Sequence, residues 1–249
     1  MANIYYVDHG GSNTAPYDTQ AKAAPALAII LAIPPAAGDI IYCCDNAGVG
    51  ETTAAVLSCA SSGTNAAGYI KVIGCNSSGI VDGTRYVIDA NGGDYDIIDL
   101  VGKDLWWFEN IEVHNNGGAT QHGFYTSTSG TTGCVHINCC AHNCTGSGFD
   151  ENNQGTGTFV RCCSYSNTAD GFAVASYTRM VFCVARDNTA DGFGGGSGFS
   201  GVVYGCVSHG NGDDGFGAVQ AAANLIGCVA DGNTDDGIEI GTGSSLCSA

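Results

Sequence analysis

Ser-Asn-Thr-Ala-Asp-Gly-Phe at residues 166–172 is the first of four related segments in the second half of the chain. The others occupy residues 187–193, 210–216 and 232–238, so the sequence repeats every 21 to 23 residues. Each segment contains an asparagine and follows a cysteine, which gives two series in step: Asn167, Asn188, Asn211 and Asn233, and Cys162, Cys183, Cys206 and Cys228. A unit this short cannot enclose its own core, so stacked copies must share one. The repeat therefore predicts a solenoid.

The residues between the turns indicate which kind of solenoid this is. Val202–Ser208 and Leu225–Ala230 are rich in β-branched residues and too short for the helices of a helical repeat. The turns are rich in Asn, Gly and Asp, which tolerate a left-handed backbone and bond their own main chain. Together these features predict an all-β, single-stranded, right-handed parallel β-helix whose coils advance by about 4.8 Å.

Stacking gives the repeated residues specific expected roles. The repeated asparagines should form a ladder in which each amide bonds to the coils above and below. The residue that ends each segment should point into the shared core; these are Phe172, Phe193, Phe216 and Ile238. The repeated cysteines should form a second structural ladder.

We expect residues 1–249 to form one domain. An N-terminal strand and a short capping helix are predicted within 1–45, irregular coils within 46–135, and regular coils within 136–249. The apolar run Ala26–Ile33 is assigned to the cap. It follows Asp18 rather than a basic cluster and is too short to span a bilayer. The sequence thus predicts synthesis in the cytoplasm without a signal peptide, and no membrane partner.

Composition narrows the range of partners. The chain has 7 basic and 24 acidic residues, for a formal net charge of −17. A nucleic-acid partner is disfavoured, because such partners select basic surfaces. Apolar residues make up 44% of the chain, which argues against disorder.

The fourteen cysteines admit three interpretations: free thiols, disulfides between adjacent coils, and a zinc site. Equivalent Cα atoms of adjacent coils lie about 4.8 Å apart, which a disulfide tolerates, but their Cβ vectors run parallel, so free thiols are favoured over disulfides. Most fall at strand positions of the repeat, which predicts buried free thiols behaving as small apolar residues. The third interpretation is a zinc site in the densest group: Cys134, His136, Cys139, Cys140, His142 and Cys144. This group lacks paired Cys-x-x-Cys spacing, and alternation along a strand sends neighbours to opposite faces, so zinc is disfavoured.

Several segments resemble a known superfamily. Ile4–Asp8 followed by Gly10–Asn13, then Gly38–Tyr42 and Tyr69–Gly74, resemble the opening of the pectate-lyase-like parallel β-helix superfamily. The Asp-Gly-Phe coils are similar to those of family 9 polysaccharide lyases and of β-helix proteins in bacteriophage particles and tailspikes. At the level of fold, the resemblance covers nearly the whole chain.

The lyase branch implies a calcium site. Residues that match it are Asp214 on one coil and Asp235, Asp236 and Glu239 on the next. Clustered carboxylates repel one another, and a hard cation that takes six to eight oxygens relieves this repulsion. The preceding coil offers Asp191, Asp213 and Asp214, but Gly217 replaces the last acid. The alternative is that each aspartate caps its own turn and faces water.

Catalysis is less well supported by the sequence. The resemblance implies a lysine or arginine base beyond the calcium site, but no lysine follows Lys103. Arg161, Arg179 and Arg186 all lie on earlier coils. A hydrolase of the same fold would place a Gly-His-Gly after its Asp-Asp pair, whereas here Ser208-His209-Gly210 precedes Asp213-Asp214.

The sequence therefore favours a non-catalytic structural or glycan-adhesion module, in particular a bacteriophage virion component such as a fibre, decoration protein or degenerate tailspike. The alternative is a calcium-dependent uronate lyase acting by β-elimination. A glycan would meet the sheet beside the Asp-Gly-Phe turns, at Tyr165, Tyr177 and Tyr204. The short tail after Ile240 predicts an uncapped end for self-association or for another virion protein.

Overall fold

The chain folds into a right-handed parallel β-helix built from three sheets. A computed structural model describes residues 2–44, 50–126, 133–151, 156–174, 177–194, 200–220 and 223–241. Successive coils visit the three sheets in turn, and neighbouring strands pair in parallel. The fold class predicted from the repeat is confirmed.

The strands are as follows within the described residues. Sheet 1 contains Ile4–Val7, Ile40–Cys44, Ile70–Cys75, Trp106–Glu109, Val135–Ile137, Thr158–Val160, Thr178–Val181, Gly201–Tyr204 and Asn224–Ile226. Sheet 2 contains Glu51–Thr52, Tyr86–Asp89, Ile111–His114, Cys140–His142, Cys163–Tyr165, Val184–Arg186, Val207–His209 and Val229–Asp231. Sheet 3 contains Leu57–Ser58, Ile98–Asp99, Phe124–Tyr125, Phe149–Glu151, Phe172–Val174, Phe193–Gly194, Phe216–Val219 and Ile238–Ile240.

Helical structure is confined to the N-terminal region among the described residues. A 3-10 turn covers Gln20–Lys22 and one α-helix covers Leu27–Leu31, which is shorter than the predicted Ala26–Ile33. Its buried side chains are Leu27, Ile30 and Leu31. The Leu27 N–H donates to the Glu51 carboxylate at 2.8 Å, which ties the helix to sheet 2. In the described part of the chain, no helix has the length and apolar character needed to cross a bilayer.

A column of aromatic rings fills the interior behind sheet 3. Phe124, Phe149, Phe172, Phe193 and Phe216 stack with ring centroids 4.9 to 5.0 Å apart and nearly parallel planes. All five are buried. Ile238 continues the column in register with Phe216 but remains 38% exposed on the last described strand. Each ring therefore contacts its counterpart one strand spacing away.

The repeated asparagines form a second column, in the turn between sheets 2 and 3. The side-chain amides of Asn167, Asn188 and Asn211 each donate to the side-chain oxygen of the next asparagine at 2.9 Å, ending at Asn233. The same oxygens also accept from backbone N–H groups of Asn167, Asn188 and Asn211. The ladder thus provides hydrogen-bond partners for buried polar groups that would otherwise have none in the turn.

Upstream, a cysteine interrupts the ladder. In that coil Asn143 takes a left-handed backbone conformation with φ of 53°, equivalent to Ser166 in the next coil. Cys144 then occupies the ladder position, and its backbone N–H donates to the Asn167 side-chain oxygen at 3.0 Å. The series resumes one coil earlier with Asn116, whose oxygen accepts from the Thr145 N–H at 2.9 Å.

The described cysteines are either free thiols or joined in a disulfide. The corner between sheets 1 and 2 carries a column of free thiols at Cys139, Cys162, Cys183, Cys206 and Cys228. Free thiols are also found at Cys43, Cys44, Cys59, Cys75, Cys134 and Cys144. Cys140 and Cys163, which are register partners in sheet 2, form a disulfide. The expectation of free thiols is therefore wrong for this pair, because parallel register brings their sulfur atoms together. Cys247 lies outside the described residues.

Removing one rung should measure what the asparagine ladder contributes. Asn188→Ala removes one of the two side-chain acceptors of the buried Asn167 amide, the other being Ser164 Oγ, and also removes the acceptor of the Asn167 backbone N–H. The free energy of unfolding should therefore fall by about 1–3 kcal/mol. Urea denaturation of the native chain and the variant would measure this. The control is Asn224→Ala, which changes an exposed side chain of sheet 1 and should shift stability by less than about 0.5 kcal/mol. Equal effects from the two substitutions would contradict a structural role for the ladder.

Candidate functional site

The outer face of sheet 3 carries acidic and aromatic side chains in one column. Asp99, Tyr125 and Asp150 are register partners on three successive strands. Since Phe124 and Phe149 point into the core, alternation along the strands directs Tyr125 and Asp150 outward. Neighbouring strands lie about 4.8 Å apart, so the two carboxylates flank the tyrosine ring.

His122 completes this cluster from the adjoining turn. It occupies the position that aspartate holds in the later Asp-Gly-Phe coils, directly before Gly123-Phe124. Its Nδ1 accepts the Ser147 N–H at 3.0 Å, so the proton of the neutral ring sits on Nε2. That Nε2 lies 3.4 Å from the Asp150 carboxylate, and the ring stacks on Tyr125 with centroids 5.1 Å apart.

The arrangement positions several groups suited to proton transfer. The backbone N–H of His122 donates to the Asp96 carboxylate at 2.7 Å, which fixes the histidine in place. Burial raises the pKa of Asp96, and the neighbouring Asp99 and Asp150 charges act in the same direction. His122, Tyr125 and Asp150 therefore form a half-buried cluster containing a carboxylate, an imidazole and a phenol. We call these three residues the His122 cluster.

Aspartates in the later coils line the same edge of sheet 3. Asp170, Asp191 and Asp214 each accept the backbone N–H of the equivalent aspartate in the next coil, at 3.2, 3.0 and 2.8 Å. Burial raises the pKa of Asp170 to about 6 and that of Asp191 to about 7. Each aspartate thus fastens two coils together and does not simply cap its own turn in water.

The carboxylates that converge are not the predicted set. Ligand atoms of Asp191, Asp213 and Asp214 lie within 4.8 Å of one another. Of the predicted residues Asp214, Asp235, Asp236 and Glu239, only Asp214 belongs to this triad. Asp236 contributes its backbone N–H to Asp214, and the Glu239 carboxylate accepts the Ala218 N–H at 2.8 Å.

Three carboxylates at this separation suit a hard cation. Asp191 and Asp214 use one oxygen each for a backbone hydrogen bond, which leaves the second oxygen of each available. Calcium takes six to eight oxygen ligands, so carboxylates and water would have to share the shell. Gly217, at the position where the resemblance implied a further acid, contributes no carboxylate to this coil.

The tyrosines predicted to bind glycan do not share one sheet. Tyr165 lies on sheet 2, where Arg186 covers its ring at 4.3 Å. Tyr204 lies on sheet 1, and Tyr177 directly precedes a strand of that sheet. The expectation of a common face beside the Asp-Gly-Phe turns was wrong, because those turns lead into sheet 3.

The structure also separates the residues considered for zinc. His136 is buried between Phe108 and Phe159, and burial lowers its pKa to about 3. His142 lies on the outer face of sheet 2, stacked on His114 with centroids 4.8 Å apart. Cys140 is taken up by its disulfide.

The other residues considered for catalysis lie away from the His122 cluster. Arg179 and Arg186 belong to sheets 1 and 2, and Arg161 lies in the turn between those two sheets. His209 is on sheet 2, where its exposed ring lies 3.5 Å from Asp231. Sequence reasoning missed His122, Tyr125 and Asp150. The available signal was His-Gly-Phe at 122–124, where histidine replaces the aspartate of the repeat.

Comparison with known proteins identifies solved structures that share this fold. No protein-family model matches the chain, and no curated protein matches it in sequence. Among solved structures, the A-module of the mannuronan C-5 epimerase AlgE4 from Azotobacter vinelandii aligns with a TM-score of 0.57 and 16% identity. This alignment covers 81% of this chain and 65% of the module.

Two lyases align over almost the whole chain. Pectate lyase Pel9A gives a TM-score of 0.51 at 16% identity, covering 100% of this chain and 79% of the lyase. A rhamnogalacturonan lyase gives 0.52 at 18% identity, covering 99% of this chain and 60% of that protein. Likeness at these identities establishes the fold, and the predicted resemblance to pectate-lyase-like β-helices is confirmed at that level.

Stability should fall as pH rises through the range in which Asp191 ionises. Its pKa is raised from 3.8 to about 7 in the fold, so the folded state binds this proton more tightly than the unfolded chain. This contribution is fully present below about pH 4 and is lost as pH rises through about 7. Asp191→Asn, whose amide oxygen can still accept the Asp214 N–H, should reduce that loss.

Urea unfolding at several pH values between about 4 and 8 would measure this effect. Asp231→Asn is the control, since that carboxylate is exposed on sheet 2. An unchanged pH dependence in the Asp191 variant would show that this carboxyl is not buried as the structure places it.

We propose that calcium binds at the Asp191, Asp213 and Asp214 triad. Millimolar calcium should then raise the thermal midpoint above that of chelator-treated protein, because a ligand specific for the folded state stabilises it. Asp213→Asn should abolish the rise, whereas Asp235→Asn, the equivalent position one coil later, should retain it. Loss of the rise only in the Asp235 variant would favour the set predicted from sequence. No rise in the unaltered chain would leave these acids with turn and coil contacts alone.

Proposed function

We propose that this protein is a polysaccharide-modifying enzyme that removes a proton from a uronate residue at the His122 cluster. The observation that carries the proposal is the approach of the His122 ring to the Asp150 carboxylate at 3.4 Å beside Tyr125, on an outer strand face. The solved structures that share this fold include a mannuronan epimerase and a pectate lyase, whose names specify acidic polysaccharides as their substrates.

The roles proposed for the three residues rest on their positions relative to one another. Asp150 is the candidate base that accepts the proton from the ring carbon next to the uronate carboxylate. The Nε2 atom of His122 lies 3.4 Å from this carboxylate, and a proton on Nε2 would stabilise its ionised form. The Tyr125 hydroxyl is the candidate acid. It would protonate the leaving glycosidic oxygen in an elimination, or the opposite face of the ring carbon in an epimerisation.

A polymer can extend from this cluster along the helix axis. Beyond Asp150, the register positions on the outer face of sheet 3 are Ala173 and Gly194. Both residues are small and almost completely buried, with Ala173 only 3% exposed. A Cβ at Gly194 would collide with the Asp191 carboxylate, so this glycine is required by the adjacent turn. We call this row of small residues beside the aspartates the track, and propose that a polymer bound at the His122 cluster would follow it.

Charge on this track constrains how a polyuronate could bind. Asp170 and Asp191 have pKa values raised to about 6 and about 7 by burial, so they repel an anionic sugar less than ordinary carboxylates would. A calcium ion at the Asp191 triad, if it binds as proposed, would supply positive charge for sugar carboxylates further along the polymer. The chemistry at the His122 cluster does not require an arginine or lysine base.

The enzyme proposal predicts product from an acidic polymer. The purified protein should be incubated with pectate, alginate and rhamnogalacturonan, with and without calcium. Absorbance of unsaturated uronate reports elimination, and deuterium uptake from D₂O at the sugar ring reports epimerisation. Asp150→Asn should reduce either signal by at least about a hundredfold, because it removes the base. Tyr125→Phe should reduce the rate while leaving polymer binding in place.

The matched control is His209→Asn, which alters a histidine beside an aspartate on sheet 2. It should retain activity, whereas His122→Asn should lose it. Absence of product across the panel, or full activity in Asp150→Asn, would overturn the proposal.

A non-catalytic glycan-adhesion module, including a bacteriophage fibre, decoration protein or degenerate tailspike, is the second candidate. It draws support from exposed aromatic rings on and beside sheet 1. Tyr177 is 73% exposed, and Tyr204 packs edge-on against the half-exposed Phe182 with centroids 5.4 Å apart. Sugar rings stack on surfaces of this kind. Retention of the protein on a glycan array without any product, lost in Tyr204→Ala, would favour this function over the enzyme.

A further inference from the structure

Two cysteines at the N-terminal end of sheet 1 lie in direct contact. Cys44 ends the strand Ile40–Cys44, and Cys75 ends the next strand of the sheet, Ile70–Cys75. The two residues are register partners, and their sulfur atoms are 2.8 Å apart. Both are almost completely buried. Thiols of adjacent parallel strands are therefore held facing each other at this point.

A second pair in the chain shows what this register allows. Cys140 and Cys163 are also register partners on neighbouring parallel strands, and they are joined as a disulfide. In both pairs the cysteines occupy strand positions that alternate with core residues; for example, Cys43 and Ala141 point inward beside them. The parallel geometry of this β-helix is thus compatible with bonding between coils at such positions.

The two thiols of the N-terminal pair are chemically unequal. The hydrogen bond with Cys75 lowers the pKa of Cys44, whereas the same contact raises the pKa of Cys75. A thiolate, and not a thiol, attacks a disulfide. Whichever of the two sulfurs ionises is therefore the attacking group, and the other resolves the intermediate.

We propose that Cys44 and Cys75 are a reversible dithiol pair that closes into a second disulfide between coils when it meets a low-molecular-weight disulfide such as oxidised glutathione. When the strand ends open locally and expose the pair, the thiolate of one cysteine attacks one glutathione sulfur, forms a mixed disulfide and releases one glutathione thiolate, which takes up the proton that this cysteine lost. The sulfur of the other cysteine then attacks the first cysteine's sulfur, and the second glutathione leaves with the proton of the second cysteine. The protein loses two hydrogens, and oxidised glutathione becomes two reduced molecules.

The bond would fasten the first coils of the solenoid. Cys44 and Cys75 are 31 residues apart, and the long connection between their strands passes through sheets 2 and 3. Closing such a loop restricts the unfolded chain and stabilises the folded one. The covering N-terminal segment is itself tied down by Gln20, whose side-chain amide donates to Asp8 at 2.8 Å and to the Ser77 carbonyl at 2.9 Å.

Peptide mapping of the full chain tests the proposal. Protein reduced and then incubated with oxidised glutathione should be denatured with iodoacetamide present, digested without reductant and analysed by mass spectrometry. We expect a linked peptide pair containing Cys44 and Cys75, two hydrogens lighter than the separate peptides and lost on reduction. The Cys140→Ser/Cys163→Ser variant should still form it, which excludes exchange with the existing disulfide.

Thermal unfolding supplies an independent readout in that same variant. Oxidation should raise its midpoint by several degrees, and adding Cys75→Ser should abolish the rise. Two outcomes would overturn the proposal. One is alkylation of both Cys44 and Cys75 after oxidation. The other is a lasting glutathione adduct on either cysteine in place of the linked pair.

Discussion

The structure depends on hydrogen bonding and stacking between equivalent residues one strand spacing apart. The side chain of Asn188 donates to Asn211 and accepts from Asn167, so one residue type must recur at one place in each coil. Phenylalanine also recurs at one place in each coil, at the start of the sheet 3 strands, where the rings of neighbouring coils stack. Because no coil can bury its own apolar face, these contacts hold the chain together where ordinary domains use contacts between different elements.

The candidate site lies where the repeat departs from its own pattern. Aspartates at the Asp-Gly-Phe position link coils through backbone N–H groups, as Asp191 does with Asp214. His122 occupies that same position and binds the next coil through Nδ1, which leaves Nε2 free to face Asp150. A structural position of the turn has thereby acquired an imidazole that faces Asp150 on sheet 3. Solenoids permit such exchanges because each coil needs only its two neighbours.

Stacking has a related effect on the aspartates of the turns. Stacking puts equivalent carboxylates close together, and partial burial in the turns raises the pKa of Asp170 and Asp191. Like charges at this spacing are unfavourable unless a proton or a cation intervenes. The same column therefore couples coil stability to pH and offers an approach for a hard cation. Its position along the track from the His122 cluster would let one polymer contact both.

The sequence by itself determined the solenoid, its parallel strands, the asparagine ladder positions and the inward phenylalanines, because period and residue type are local properties that stacking repeats. It did not determine which side chains of different coils meet. The three tyrosines were placed on one face, Cys140 was expected to be free, and only Asp214 of the predicted metal set belongs to the group of converging carboxylates. Only the tertiary structure decided these contacts, since coil lengths vary and register sets which neighbours face each other. His122, Tyr125 and Asp150 come from two coils whose pairing the sequence does not display.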